Sequence, residues 1–158
     1  MYRRSGIIKK ETLFSLGLVP PIERLKRGAV AVTECIEEIP CNVCEAVCPV
    51  KAIMVVGLRG RPKIDWEKCT GCGVCVGTCP GQAMFLVDLS GPAKVTVPYE
   101  FLPKLKKGDV VELLGRDGRV LGTGVVLRVF EVNKTQVVTV EVPEELVMEV
   151  RSVRARRS

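Results

Sequence analysis

Cys69-Thr70-Gly71-Cys72-Gly73-Val74-Cys75-Val76-Gly77-Thr78-Cys79-Pro80 is the stretch that decides how this chain is read. Its spacing is C-x2-C-x2-C-x3-C-P. Three thiolates at two-residue intervals can wrap one side of a cubane iron–sulfur cluster, and a fourth followed by proline is directed away to ligate a second cluster. The spacing therefore predicts a partner motif. Cys41-Asn42-Val43-Cys44-Glu45-Ala46-Val47-Cys48-Pro49 supplies it, with Cys35 upstream as the remaining thiol.

The two runs read as one unit written twice. Cys41, Cys44 and Cys48 match Cys72, Cys75 and Cys79 at a constant separation of 31 positions. The match continues through Pro49-Val50-Lys51-Ala52-Ile53 and Pro80-Gly81-Gln82-Ala83-Met84. Upstream, aligning Cys35 with Cys69 gives a separation of 34, so Glu38-Ile39-Pro40 is expected to be a three-residue insert in the first half. Repeats of this kind set the architecture and are read before individual elements.

These motifs resemble the bacterial-type ferredoxin with two [4Fe–4S] clusters, over roughly residues 29–90. The resemblance implies ligands that cross between halves. One cluster then takes Cys35, Cys41, Cys44 and Cys79, and the other takes Cys69, Cys72, Cys75 and Cys48. The first motif departs from the family pattern, having C-x5-C where C-x2-C is usual, and the departure falls on Cys35.

Zinc also accepts four thiolates, usually from paired C-x2-C knuckles. That reading explains neither the third evenly spaced thiol nor the Cys-Pro endings. A disulfide framework needs an oxidising compartment, and nothing in the sequence directs the chain to one. No Asp replaces a motif cysteine, so a three-iron cluster is not expected. Gly71 and Gly73 suit a loop that must turn tightly and offer N–H donors to sulfur.

At 158 residues the chain exceeds what two clusters require. A second small module is expected. With 47% hydrophobic but only 4% aromatic residues, the cores must be built from Val, Leu and Ile. The net charge is +6, concentrated in the flanks at Arg3, Arg4, Lys9, Lys10, Arg24, Lys26, Arg27, Arg151, Arg154, Arg156 and Arg157. Single-stranded nucleic acid binding needs aromatic platforms that this composition does not spare, so the charge fits a solvated surface or an acidic protein partner. No apolar run approaches the ~20 residues of a membrane span. Residues 13–19 are too short and too interrupted for an export signal. Eight reduced thiols favour the cytoplasm.

The expected fold class is α+β. A basic N-terminal extension (1–28) leads to a two-cluster ferredoxin-like domain (29–90). A small all-β, barrel-like domain with a basic tail follows (91–158). In the extension, Pro21 and Gly28 bracket a helical turn, and Leu13, Phe14, Leu16, Leu18 and Val19 suit an arm laid over a neighbouring subunit. Trp66 reads as a core filler that could also shield a cluster. Short helices are expected within the x3 segments or after each Cys-Pro. Beyond Gly91-Pro92, runs at 110–114, 119–121, 124–132, 136–142 and 148–153 read as strands. Arg116-Asp117-Gly118-Arg119 reads as a hairpin turn, and Pro143 starts a single helical turn. Five short strands in such a span suggest a closed or half-closed barrel.

The chain has no histidine, no nucleophile–base pair and no glycine-rich phosphate loop. It therefore offers no catalytic site of its own, and its chemistry reduces to electron transfer. Glu34-Cys35-Ile36-Glu37-Glu38-Ile39-Pro40 through Pro49, with Val97-Pro98-Tyr99-Glu100-Phe101-Leu102-Pro103 later, looks like the small ferredoxin-like subunits of flavin-dependent amino-acid dehydrogenases of the proline and hydroxyproline type. That resemblance implies a flavoprotein partner in a hetero-oligomer. The alternatives are a free shuttle ferredoxin and, third, an iron–sulfur regulatory or nucleic-acid-associated module.

Overall fold

In the computed structural model, residues 2–156 are described; Met1, and Arg157 of the expected basic tail with Ser158, lie outside them. The helices are α1 (Tyr2–Ser5), α2 (Lys10–Ser15), α3 (Ile22–Leu25), α4 (Val43–Val47) and α5 (Val74–Thr78). The strands are β1 (Val30–Thr33), β2 (Ile53–Met54), β3 (Lys63–Ile64), β4 (Met84–Asp88), β5 (Lys94–Tyr99), β6 (Val110–Leu114), β7 (Val120–Val132), β8 (Thr135–Glu141) and β9 (Ser152–Ala155). The fold class is α+β, as expected.

Seven strands form one antiparallel sheet in the order β1-β4-β5-β8-β7-β6-β9, and β2 pairs with β3 in a separate hairpin. The sheet runs unbroken through the turn at Gly91-Pro92, where β4 meets β5 with Leu86 opposite Thr96 and Asp88 opposite Lys94.

The closed form of the expected barrel is corrected: among the described residues the order of strands ends at β1 on one side and β9 on the other. The edge of β5 that could close such a barrel is occupied from Lys94 to Thr96 by β4. Closure is replaced by curling. Strand β7 is long enough to serve two ladders, pairing with β6 up to Val125 and with β8 from Val126 onward, with an irregularity between Val126 and Arg128. Gly124 allows the bend, because a Cβ there would lie 2.5 Å from the Glu141 carbonyl oxygen. Pro98 sits in β5 past the point where β4 stops. A proline is tolerated there because that edge has no ladder to break.

Successive residues of the central strands serve two cores. Val30, Val32, Phe85, Val87, Val95, Val97 and Val138 point into the larger one. Ala31, Met84, Leu86 and Val137 point to the other face, against Cys75 and Val76 of α5. A strand with apolar residues at every position is buried on both sides, and β4 has that character from Met84 to Val87. Gly77 seats α5 on the sheet: a Cβ there would approach Val132 Cβ to 2.6 Å.

The N-terminal extension folds onto its own chain. Leu13 and Leu25 belong to the larger core, with Leu18 and Val19 packed against it. Phe14, Leu16 and Ile22 remain exposed. The helical turn bracketed by Pro21 and Gly28 forms as α3, with Pro21 as its N-cap.

A buried ion cluster joins the cysteine-bearing segment to the C-terminal strands. Glu34 accepts hydrogen bonds from Arg116 Nε (2.7 Å) and Nη2 (2.8 Å) and from Arg151 Nε (2.5 Å). The three side chains are under 10% exposed. Arg151 also donates to the carbonyls of Val147 and Val150, and its guanidinium lies 5.1 Å from the Phe85 ring centre on β4. Burial alone would raise the Glu34 pKa, but the hydrogen bonds and charges of both arginines outweigh it and hold the group below its ordinary value.

Removing one member of such a cluster strands the others as uncompensated charges, at a cost of about 3–5 kcal/mol. Glu34→Ala is therefore expected to lose that much in chemical denaturation. Because the folded Glu34 pKa is depressed, its contribution is complete above the ordinary carboxylate value and is lost as pH falls through the folded one. Glu34→Gln should accordingly flatten the acid limb of the stability profile. An acid limb unchanged in Glu34→Gln would show that this group does not govern it.

Candidate metal centres

The repeat is visible in the backbone. Helix α4 spans Val43–Val47 and α5 spans Val74–Thr78, a displacement of 31 positions at each end. After each Cys-Pro the chain makes the same turn. Lys51 N–H donates to the Cys48 carbonyl and Gln82 N–H to the Cys79 carbonyl. Lys51 and Gln82 both take left-handed φ, 54° and 52°. The turn then delivers Ala52 N–H to Cys48 Sγ at 3.3 Å and Ala83 N–H to Cys79 Sγ at 3.4 Å. Such donors stabilise the thiolate form that binds iron.

The two halves also exchange backbone bonds. Glu34 N–H donates to the Ala83 carbonyl at 2.8 Å, and Asp65 N–H donates to the Ala52 carbonyl at 2.7 Å. Glu34 is thus the counterpart of Asp65, again at a separation of 31. The register is therefore uniform, and the expected insert at residues 38–40 is corrected. From Thr33 to Cys41 and from Ile64 to Cys72 the chain covers the same number of positions. What differs is where the first thiol falls. Cys35 directly follows Glu34, whereas Cys69 comes four residues after Asp65, in a turn closed by Lys68 and Cys69 N–H groups on the Asp65 carbonyl.

The eight cysteines are all free, and they gather in two groups. The thiol of Cys35 lies within electrostatic reach of Cys79 and Cys41. Cys44 feels Cys79, Cys35 and Cys41. Burial pushes the Cys44 thiol up to about 11, the neighbouring thiols add to this, and the Glu45 N–H works against it. In the other group, Cys75 feels Cys69, Cys72 and Cys48, and more weakly Cys44. Burial, followed by those thiols, pushes Cys75 up to about 12. Each group thus contains one cysteine of the opposite repeat, Cys79 in the first and Cys48 in the second. Cys72 is the exposed member.

Cys48, Cys69, Cys72 and Cys75 together line one small cavity, flanked by Ala31, Ile53 and Leu86. The donor set suits a cubane better than a single ion. Four thiolates around zinc, with Zn–S near 2.3 Å, must lie within about 4 Å of one another. Among the described residues, no three His, Cys, Asp or Glu side chains converge that way. Thiolates bound to separate irons of a cluster stand further apart.

Gly71 has a positive φ of 73°, and a Cβ there would stand 2.6 Å from the Ala29 carbonyl oxygen. Both facts require glycine. Ala31 N–H donates to Cys69 Sγ at 3.3 Å, so β1 of the first repeat supports a thiol of the second. Trp66 packs against the larger core, and its indole N–H is buried without an acceptor among the described residues. Sequence reasoning missed two features around the thiols. Glu34 is not a surface acid but the anchor of Arg116 and Arg151. Arg24, counted above with the flanking basic charge, is buried against the Cys69 loop. The only signal for the first was an acid beside Cys35 in the position of Asp65.

If each group of thiols holds a four-iron centre, Cys35→Ala is expected to lower bound iron by about half relative to the unaltered chain. Iron assay of anaerobically purified protein checks this. Undiminished iron would remove Cys35 from the ligand set.

Residues 62–85 match a family model described as a 4Fe-4S binding domain. The match contains Cys69, Cys72, Cys75 and Cys79. No curated protein matches the chain, and no solved structure does. The chain carries a 4Fe-4S binding domain and eight cysteines.

Proposed function

We propose that the protein is a two-centre electron carrier, with one [4Fe–4S] cluster held by Cys35, Cys41, Cys44 and Cys79 and a second by Cys69, Cys72, Cys75 and Cys48. The observation that carries this reading is the gathering of eight thiols into two groups, each completed by a cysteine from the opposite repeat. Each bound cluster supplies one reversible one-electron couple, and the protein sets its potential through N–H donors, burial and local charge.

The chain's own residues hold, insulate and expose these centres. Ala31, Ala52 and Ala83 supply N–H donors to thiol sulfur. The apolar side chains of Ile53, Val76, Met84, Leu86 and Val137 exclude water behind them. Cys72 reaches the surface and offers a short path for electron exchange with a partner.

The partner we propose is a flavoprotein dehydrogenase of the amine or amino-acid type, with this chain as the iron–sulfur subunit of a cytoplasmic hetero-oligomer. A flavin delivers electrons in pairs, and two one-electron sites accommodate one pair. Exposed Met54, Val56 and Leu58, beside Lys51, Arg59, Arg61 and Lys63 on the β2–β3 hairpin, provide an apolar and basic surface for an acidic partner. A free shuttle is the second reading. The packing of the N-terminal extension on its own chain favours it, since that arm no longer needs a neighbour for Leu13. Among the described residues no helix is long and apolar enough to cross a membrane.

Anaerobic reductive titration of the purified protein should consume two electrons per chain and bleach its visible absorption reversibly. Uptake of one electron or none contradicts the two-centre reading. Purification from the native host at moderate salt should retain a flavoprotein if the chain is a subunit. Recovery as a lone monomer would favour the shuttle.

A further inference from the structure

Arg24 in α3 is 7% exposed. Its Nε donates to the Trp66 carbonyl at 2.6 Å, and Nη1 donates to the Gly28 carbonyl at 3.1 Å. Its Nη2 donates to the Cys69 carbonyl at 2.9 Å and the Ala29 carbonyl at 3.3 Å. All four acceptors are neutral. Among the described residues no carboxylate is hydrogen-bonded to this guanidinium. Glu67 is near enough to feel its charge, but that carboxylate is engaged by Arg27 at 2.5 Å and lies at the surface. A full positive charge is thus buried one residue-carbonyl away from a thiol of the second group.

The first repeat is built otherwise. There the two buried guanidiniums of Arg116 and Arg151 share the Glu34 carboxylate, and the Cys35 thiol also feels Glu37. Beside Cys35 the two arginines meet carboxylates directly, Glu34 between them and Glu149 against Arg116, while beside Cys69 a buried cation is hydrogen-bonded to carbonyls alone. Reduction adds one negative charge to a centre, so a nearby desolvated cation favours the reduced form.

We propose that Arg24 is a positioning residue that clamps the Cys69 loop to the start of β1. Its charge makes the centre of Cys48, Cys69, Cys72 and Cys75 the higher-potential one of the pair. This inference rests on the two-centre reading above. An electron delivered to either centre then settles at the one whose Cys72 reaches the surface, which defines it as the exit.

The test is a redox titration of the full, cluster-loaded chain under anaerobic conditions. Dithionite supplies one electron per centre, and paramagnetic resonance follows each couple. The unaltered protein should show two midpoint potentials. Arg24→Gln should lower the higher one by about tenfold in the reduction equilibrium, or about 59 mV for one electron, and leave the lower one in place. Arg24→Lys, which keeps the charge, should stay near the unaltered value. If Arg24→Gln fails to load this centre, Arg24→Met, uncharged and of similar length, carries the test and should lower the higher potential in the same direction. The inference is overturned if Arg24→Gln, fully loaded, leaves the higher potential unmoved. It is overturned equally if Arg24→Lys shifts that potential as far as Arg24→Gln, or if Arg24→Met, serving as substitute, leaves it unmoved. An unaltered chain with a single centre would sink the two-centre reading instead.

Discussion

Strand β4 cannot be exposed on either face, and most of the structure follows from that. Met84 and Leu86 lie under the thiols and helix α5, while Phe85 and Val87 fill the larger core. Four consecutive apolar residues buried on opposite sides require a layer on each. The cysteine-bearing repeats form one layer. The curled strands β5 to β9, together with Leu13 and Leu25 of the N-terminal extension, form the other. The C-terminal strands are therefore structural support for the metal-binding face as much as an appendage to it.

The repeat explains why the thiols fall into two mixed groups. Each half sends a backbone N–H to the other, Glu34 to Ala83 and Asp65 to Ala52. Each Cys-Pro turn then returns an N–H to its own sulfur. These contacts fix the position of Cys48 and Cys79 relative to the opposite repeat. The symmetry is broken where chemistry can use the difference. Asp65 shapes a turn for Cys69, whereas Glu34 is drawn inward by Arg116 and Arg151. A buried ion cluster of this kind contributes little net stability compared with an apolar replacement. Its evident effect is to tie the segment carrying Cys35 to the β6–β7 turn and to the approach to β9.

Much of the site was legible because cluster ligation imposes a spacing that no ordinary core requires. Cys41, Cys44, Cys48 and their counterparts, the helices of the x3 segments and the positive φ at Gly71 all follow from it. The register before the first motif was not legible. Aligning thiol with thiol placed an insert at 38–40, and only the exchanged backbone bonds reveal that Glu34 matches Asp65. The strands after Gly91 were mostly visible from their apolar and β-branched residues. Their closure was not, because strand pairing is nonlocal. Strand β5 was hidden by Pro98, and β7 read as two runs because Gly122 and Gly124 interrupt its pattern. Arg24 looked like one more flanking charge, since nothing in its neighbours Glu23, Leu25 and Lys26 signals that its guanidinium turns inward.

The electron-carrier reading depends on both groups of thiols holding iron together in one chain. Native mass spectrometry of the anaerobically loaded protein reads this directly. A single folded species heavier than the bare chain by two [4Fe–4S] increments is expected. A folded species carrying one increment at saturation, or zinc in place of either, would contradict it.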